Sequence, residues 1–125
     1  MAGKAQPRTA RELSPIEAAW LGAMIEGEGS FGAYDYGKLT HYPGTYLSLS
    51  VANTEVETIA TVLRLAGCGG VTVTHRVTRY HQDHHKPNWT WQERRRANVI
   101  ALLRQIAPFL TGKQERALAF VRKYE

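Results

Sequence analysis

The residues best equipped for chemistry are two carboxylates, Glu26 and Glu28, interleaved with Gly27 and Gly29 at the end of the run Trp20-Leu21-Gly22-Ala23-Met24-Ile25. The run predicts a helix ending near Gly27, so both acids fall where backbone carbonyls already concentrate partial negative charge. Such a position calls for a compensating cation. A carboxylate beside unpaired carbonyl oxygens is the hard-oxygen donor set that magnesium or calcium prefers. The same helix carries Ala19, Ala23 and Gly27 at a spacing of four, which leaves one face nearly bare. That face permits either close approach of a second helix or packing against the chain's own sheet. If two copies meet along it, two Glu28 carboxylates arrive together and repel unless cations lie between them. Taken alone, Glu-Gly-Glu-Gly is also what ordinary exposed acids beside a turn look like.

The elements that must position these residues are legible in the spacing. Ser14-Pro15-Ile16-Glu17 supplies an N-cap, a proline at the first helical position and a glutamate at the third, a strong helix start. After Gly29 the period changes to two. A strand is expected from about Ser30 to Tyr36, and another where Leu47, Leu49 and Val51 alternate with Tyr46, Ser48, Ser50 and Ala52. Gly37 to Gly44, with Pro43, is turn chemistry between them. Thr54 and Glu57 repeat the capping-box spacing and predict the start of a second helix, stopped by Gly67, Gly69 and Gly70. A second hairpin follows: Val71, Val73 and Val77 alternate with polar residues, and Trp89 and Trp91 do the same across a polar loop. Helical spacing returns from Ala97 to Pro108, and a closing helix spans Gln114 to Tyr124. The order is αββαββα, an α+β fold in which four antiparallel strands make one sheet with helices on one face.

The other sheet face must then meet solvent or a partner. Period-two projection assigns to it Gly32, Tyr34, Tyr36 and Lys38; Tyr46, Ser48 and Ser50; Thr72, Thr74 and Arg76; and Asn88, Thr90 and Gln92. Such a set can read base edges, and it is equally the usual composition of a solvated sheet face. His81, His84 and His85 with Asp83 fall in a loop tip with no cysteine among them, a weak zinc pattern. Trp89 and Trp91 share one strand face and read as core, and Cys68 has no basic partner that would make it a nucleophile.

Bulk composition narrows the class. The 125 residues are 43% hydrophobic and 22% charged, enough for one core, and the net charge of +5 favours an acidic partner. A single cysteine excludes an intrachain disulfide, and no run approaches a membrane span, so a soluble, intracellular, unsecreted protein is expected. Residues 1–12, with Lys4, Arg8, Arg11 and Pro7, are expected as a flexible basic arm ahead of one domain over 13–125.

Leu21-Gly22-Ala23-Met24-Ile25-Glu26-Gly27-Glu28-Gly29 resembles the LAGLIDADG motif of the homing endonucleases, and Ser30-Phe31 matches its usual continuation. Pro108-Phe109-Leu110, Lys113 and Ala117 resemble that family's pattern near the end of the domain. The resemblance covers about Ser14 to Tyr124, and the αββαββα order agrees with it. Glycine and alanine are exchanged at 22 and 23, and glutamate replaces aspartate at 26 and 28.

The resemblance implies a metal-dependent, site-specific double-strand DNA endonuclease, encoded by a mobile intron or intein or free-standing. It implies that Glu28 binds the catalytic metals with the carbonyl of Gly27, and that Glu26 is structural. Magnesium is the expected ion, with manganese as a substitute and calcium supporting binding without cleavage. One motif in a short chain implies a homodimer, with Ala19, Gly22, Ala23, Glu26 and Gly27 at its interface, cutting a long pseudo-palindrome to leave short 3′ overhangs. An ungapped match places Glu55 where a residue organises water, with Asn53 and Thr54 also candidates. A basic residue before the late helix points to Arg94-Arg95-Arg96, of which Arg95 or Arg96 would stabilise transition-state charge. On the sheet, Lys38 and Arg76 suit guanine edges best. The rival reading is a non-catalytic DNA-binding regulator or RNA maturase on the same fold, which can lose the acids that this chain retains.

Overall fold

The computed structural model describes residues 8–35, 44–74 and 86–125. Helix α1 (Pro15–Glu28) starts as its sequence predicts: Glu17 N–H donates to Ser14 Oγ, and Ser14 N–H donates to the Glu17 carboxylate. Strands β1 (Gly29–Asp35) and β2 (Thr45–Asn53) pair antiparallel, followed by α2 (Val56–Ala66), β3 (Gly70–Thr74) and β4 (Asn88–Glu93). Helix α3 (Arg96–Ile106), a 3-10 turn (Ala107–Phe109) and α4 (Gln114–Tyr124) complete the chain. The four strands form one sheet in the order β1-β2-β4-β3, every neighbouring pair antiparallel.

The helices cover one face. Phe31, Leu47, Leu49, Val51 and Trp91 are buried there against Leu21 and Ile25 of α1, Ile59 and Val62 of α2, and Leu102, Leu103 and Ile106 of α3. Trp91 is core, as expected, and its Nε1–H donates to the Cys68 carbonyl at 2.9 Å. That bond explains Gly69, which has φ +88° and whose added Cβ would lie 2.5 Å from Trp91 Nε1. Burial pushes the Cys68 thiol up to about 12, in keeping with a packing role.

Two local expectations are corrected. Helix α2 begins at Val56 with Glu55 at the cap position and no side-chain cap; Thr54 and Glu57 form no capping box. The turn is held instead by Asn53, whose Oδ1 accepts from Glu55 N–H at 2.8 Å, a local bond that competes successfully with capping. Residues 8–12, expected to be part of a flexible arm, are fastened to the domain. Ala10 N–H donates to Asn98 Oδ1, Arg11 N–H to the Ala66 carbonyl, and Gln105 Nε2 to the Arg11 carbonyl. Residues 1–7 lie outside the described part.

Candidate active site

Glu28 is the last residue of α1, and the chain turns directly into β1 at Gly29, whose N–H donates to the Ile25 carbonyl. A Cβ at Gly29 would lie 2.7 Å from Ile25 Cα and 3.0 Å from the Ser50 carbonyl oxygen, so the abrupt helix-to-strand junction requires glycine through close approach. The cation demanded by this helix end is Lys113: its Nζ donates to the carbonyls of Ile25 and Gly29, each at 2.8 Å. Across the sheet, Asn53 at the end of β2 donates from Nδ2 to Glu28 Oε2 at 2.5 Å. The structure thus brings Asn53 to Glu28, whereas Glu55 pairs with Lys86 at 3.1 Å in an exposed ion pair. Thr54 makes no side-chain bond to Glu28 among the described hydrogen bonds.

Glu26 has a different task. Its Oε1 accepts from the backbone N–H groups of Thr111 (2.6 Å) and Lys113 (3.1 Å), tying α1 to the approach of α4. The Lys113 N–H and then the Thr111 N–H hold its carboxyl below the usual glutamate value of 4.5, outweighing desolvation. Because the folded-state value is depressed, this contribution to stability is complete above the ordinary glutamate range and is lost as pH falls through the lowered value. Glu26→Gln is therefore expected to be less stable than the parent in denaturant titrations at neutral pH. The gap should close in acid, and one that persists there would break the assignment.

Of the residues expected at a two-copy interface, Gly22 is turned toward Phe109 and Glu26 toward the N–H groups of Thr111 and Lys113. Gly22 is buried, and a Cβ on it would stand 3.2 Å from Phe109 Cβ. Ala23 and Gly27 are exposed, Ala19 is half-buried, and Ile16, near the start of the same helix, is 84% exposed. None of the described residues lies within 4 Å of where a Cβ on Gly27 would be.

Arg95 and Arg96, the expected basic candidates, lie away from Glu28 within the protomer. Arg94 lies over the Tyr46 ring (5.1 Å), near the start of β2, whereas Glu28 meets Asn53 at the end of β2. Seven residues of strand at about 3.3 Å each put roughly 23 Å between those ends. Arg95 Nη1 donates to the Arg8 carbonyl, and Arg96 lies over Tyr124 and donates to its carbonyl. Lys113 is a basic residue at the Glu28 end, as is Lys86 through its pair with Glu55; Lys113 is present in the sequence as part of the C-terminal pattern but not singled out there as a site residue.

No protein-family model and no curated protein sequence matches the chain at a significant level. Solved structures do. The homing endonuclease I-CvuI, in complex with its target, superposes with a TM-score of 0.65 at 17% identity, over 88% of this chain and 68% of that one. The archaeal intron-encoded homing endonuclease I-Vdi141I, complexed with DNA, gives 0.62 at 15% identity, over 86% and 65%. The LAGLIDADG homing endonuclease I-SmaMI, bound to cleaved DNA, gives 0.59 at 14% identity, over 97% of this chain and 39% of that one. The fold is that of the LAGLIDADG homing endonucleases. The chain spans about two thirds of the first two structures and less than half of the third.

Within this homing-endonuclease fold, the strand register places the expected outer-face residues together. Gly32 is opposite Ser48 and Tyr34 opposite Tyr46; Ser50 is opposite Gln92; Thr72 is opposite Thr90 and Thr74 opposite Asn88. Ser48 departs from the exposed set: it is 6% exposed, and its Oγ accepts from Gln92 Nε2 at 2.9 Å. On a central strand its small side chain is covered by longer neighbours. Tyr36, Lys38 and Arg76 lie outside the described residues, as do His81, Asp83, His84 and His85.

Proposed function

We propose that the chain is a site-specific endonuclease of double-stranded DNA that works as a homodimer, with Glu28 from each copy holding divalent metal. The observation that carries this reading is the position of Glu28 at the end of a helix that is apolar on both sides. Ala18, Leu21 and Ile25 enter the core, while Ile16, Ala23 and Gly27 are exposed on the outer side. A helix apolar all round belongs in an interior, and since the described residues leave Ile16, Ala23 and Gly27 exposed, a partner would supply one for the outer half. Two such helices packed along alanine and glycine would bring both Glu28 carboxylates to one place.

The donor chemistry fits magnesium, with manganese as a substitute and calcium as a binding-only ion. Glu28 offers hard carboxylate oxygen, and the carbonyl of Gly27 would add another. Among the described residues no group of three or more His, Cys, Asp or Glu is assembled within one chain. In this reading the Glu28 of a second copy completes the donor set. When bound, the metals would supply an activated water and charge stabilisation at the leaving oxygen of the phosphodiester. Asn53 orients the Glu28 carboxylate through its amide, and Lys113 offsets the negative helix end on which Glu28 stands.

The outer sheet face would lie in a major groove and read bases, one protomer per half-site, giving a long pseudo-palindromic target cut to short 3′ overhangs. The DNA-bound structures of I-CvuI and I-Vdi141I, which share this fold, support DNA as the partner. The reading is tested by incubating the protein with a randomised duplex library in magnesium, with calcium in parallel, and sequencing the cleaved ends. Recurrent cuts within a pseudo-palindrome, matched by uncut enrichment in calcium, are expected. Enrichment without cutting in magnesium would indicate a non-catalytic relative, and no enrichment would exclude DNA as the partner.

A further inference from the structure

The Arg94-Arg95-Arg96 run is not absorbed by the active site, and its surroundings give it another use. Where the end of β4 passes Leu49 and Ser50 of β2, two strands across the sheet from β1, Arg8, Arg94 and Arg95 line an open cavity of about 460 Å³ together with Gly69, Gly70, Gln92 and Glu93. Arg94 leaves β4 two residues after Gln92, on the outer face, and is held there over the Tyr46 ring. Arg95 is steadied by its bond to the carbonyl of Arg8, a segment that is itself fixed by Asn98 Nδ2.

Three arginines against one glutamate leave the cavity lining net positive. None of Arg8, Arg94, Arg95 or Arg96 belongs to an ion pair among the described residues. The acid in the cavity wall, Glu93, is 5% exposed, and its carboxylate accepts from the backbone N–H groups of Arg94 and Arg95 and from Asn98. Asp35, opposite Thr45 at the start of β2, accepts from Thr45 Oγ1. Gly70 adds bare backbone to the wall, with none of the described residues within 4 Å of where its Cβ would be. Guanidinium groups gathered without carboxylate partners repel one another unless an anion joins them, and their planar donor forks match phosphate oxygens.

We propose that Arg94 and Arg95, with Arg8, form a phosphate-binding site that grips the backbone of the same duplex whose cleavage Glu28 serves. The proposal rests on the endonuclease reading above. From the cavity wall at Gln92, level with Ser50, to the Arg94 guanidinium over Tyr46, the site lies about 10 to 23 Å along the strand from Asn53, about three to seven phosphates at about 3.4 Å each. The site therefore anchors each half-site outward from the cut, and Tyr46 sets the direction in which Arg94 reaches.

The test measures binding of Arg94→Ala/Arg95→Ala to a mixed-sequence duplex in calcium over a series of salt concentrations, with the unaltered protein, Arg94→Ala alone and Arg94→Lys/Arg95→Lys beside it. Both side chains are exposed, and thermal melting of each variant reports folding; Arg94→Ala also leaves the Arg95 bond to Arg8 in place. The slope of log affinity against log salt is expected to fall by about 0.9 for each phosphate no longer neutralised, about 2 for a dimer in which each protomer releases one. The lysine variant should restore most of it, and the weakening should be uniform across sequences. Ethylation interference should mark phosphates about three to seven nucleotides outward from the cut. An unchanged slope in a variant that still folds, or a weakening confined to one base position, would overturn the proposal while leaving the endonuclease reading intact. Failure of the unaltered protein to bind any duplex would overturn both.

Discussion

Glu28→Gln is expected to abolish DNA cleavage while leaving duplex binding largely intact. The substitution preserves shape and an oxygen able to accept from Asn53 Nδ2, so the helix-to-strand junction should survive. What it removes is anionic charge at the position where two copies would together hold metal. An exposed carboxylate that served only as surface would lose nothing measurable by this change. A metal ligand should lose roughly three orders of magnitude or more in the single-turnover cutting rate, because charge stabilisation by metal contributes several kcal/mol at about 1.4 kcal/mol per tenfold. Cleavage at saturating protein, paired with a gel-shift titration on the same duplex, separates the two effects. Undiminished cutting would move the metal site away from Glu28, whereas loss of binding in step with cutting would make Glu28 part of the DNA-recognition surface.

What can be read from sequence follows from how local each determinant is. The Ser14/Glu17 capping box and the four strands are set by residues a few positions apart, and both are present as expected, although β3 is exposed along its whole length rather than alternating. Glu28 at the close of α1 is equally local. The identity of its neighbours is not. Asn53 is 25 residues away and Lys113 reaches Gly29 across 84, so both depend on how β2 and α4 pack against α1. The arginine run departs from expectation for the same reason. The sequence places it after β4, but the antiparallel pairing of β2 with β4 decides which part of the sheet it meets, and Arg94 there reaches over Tyr46, away from Glu28. Gly22 and Glu26 show a subtler departure. They lie one residue before Ala23 and Gly27, and at 3.6 residues per turn that is about 100° around the helix, enough to turn them from the open side toward Phe109 and Thr111.

Ala23→Arg is expected to convert a dimer into a folded monomer without double-strand cleavage. Ala23 is exposed in the single chain, and arginine suits a helix interior nearly as well as alanine, at a cost of about a few tenths of a kcal/mol. The melting transition of the monomer fold should therefore change little. The interface, by contrast, depends on helices that approach along Ala19, Ala23 and Gly27, where no side chain larger than a methyl group projects. A guanidinium there blocks the approach in both copies at once and sets two like charges facing each other. Sedimentation analysis should show a dimer for the unaltered protein and a monomer for the variant. Cleavage should disappear with the dimer, because one protomer brings only one Glu28. A variant that still sediments as a dimer would place the interface elsewhere. A monomeric variant that still cuts both strands would show that each Glu28 needs no second copy, and the exposed side of α1 would then require another explanation.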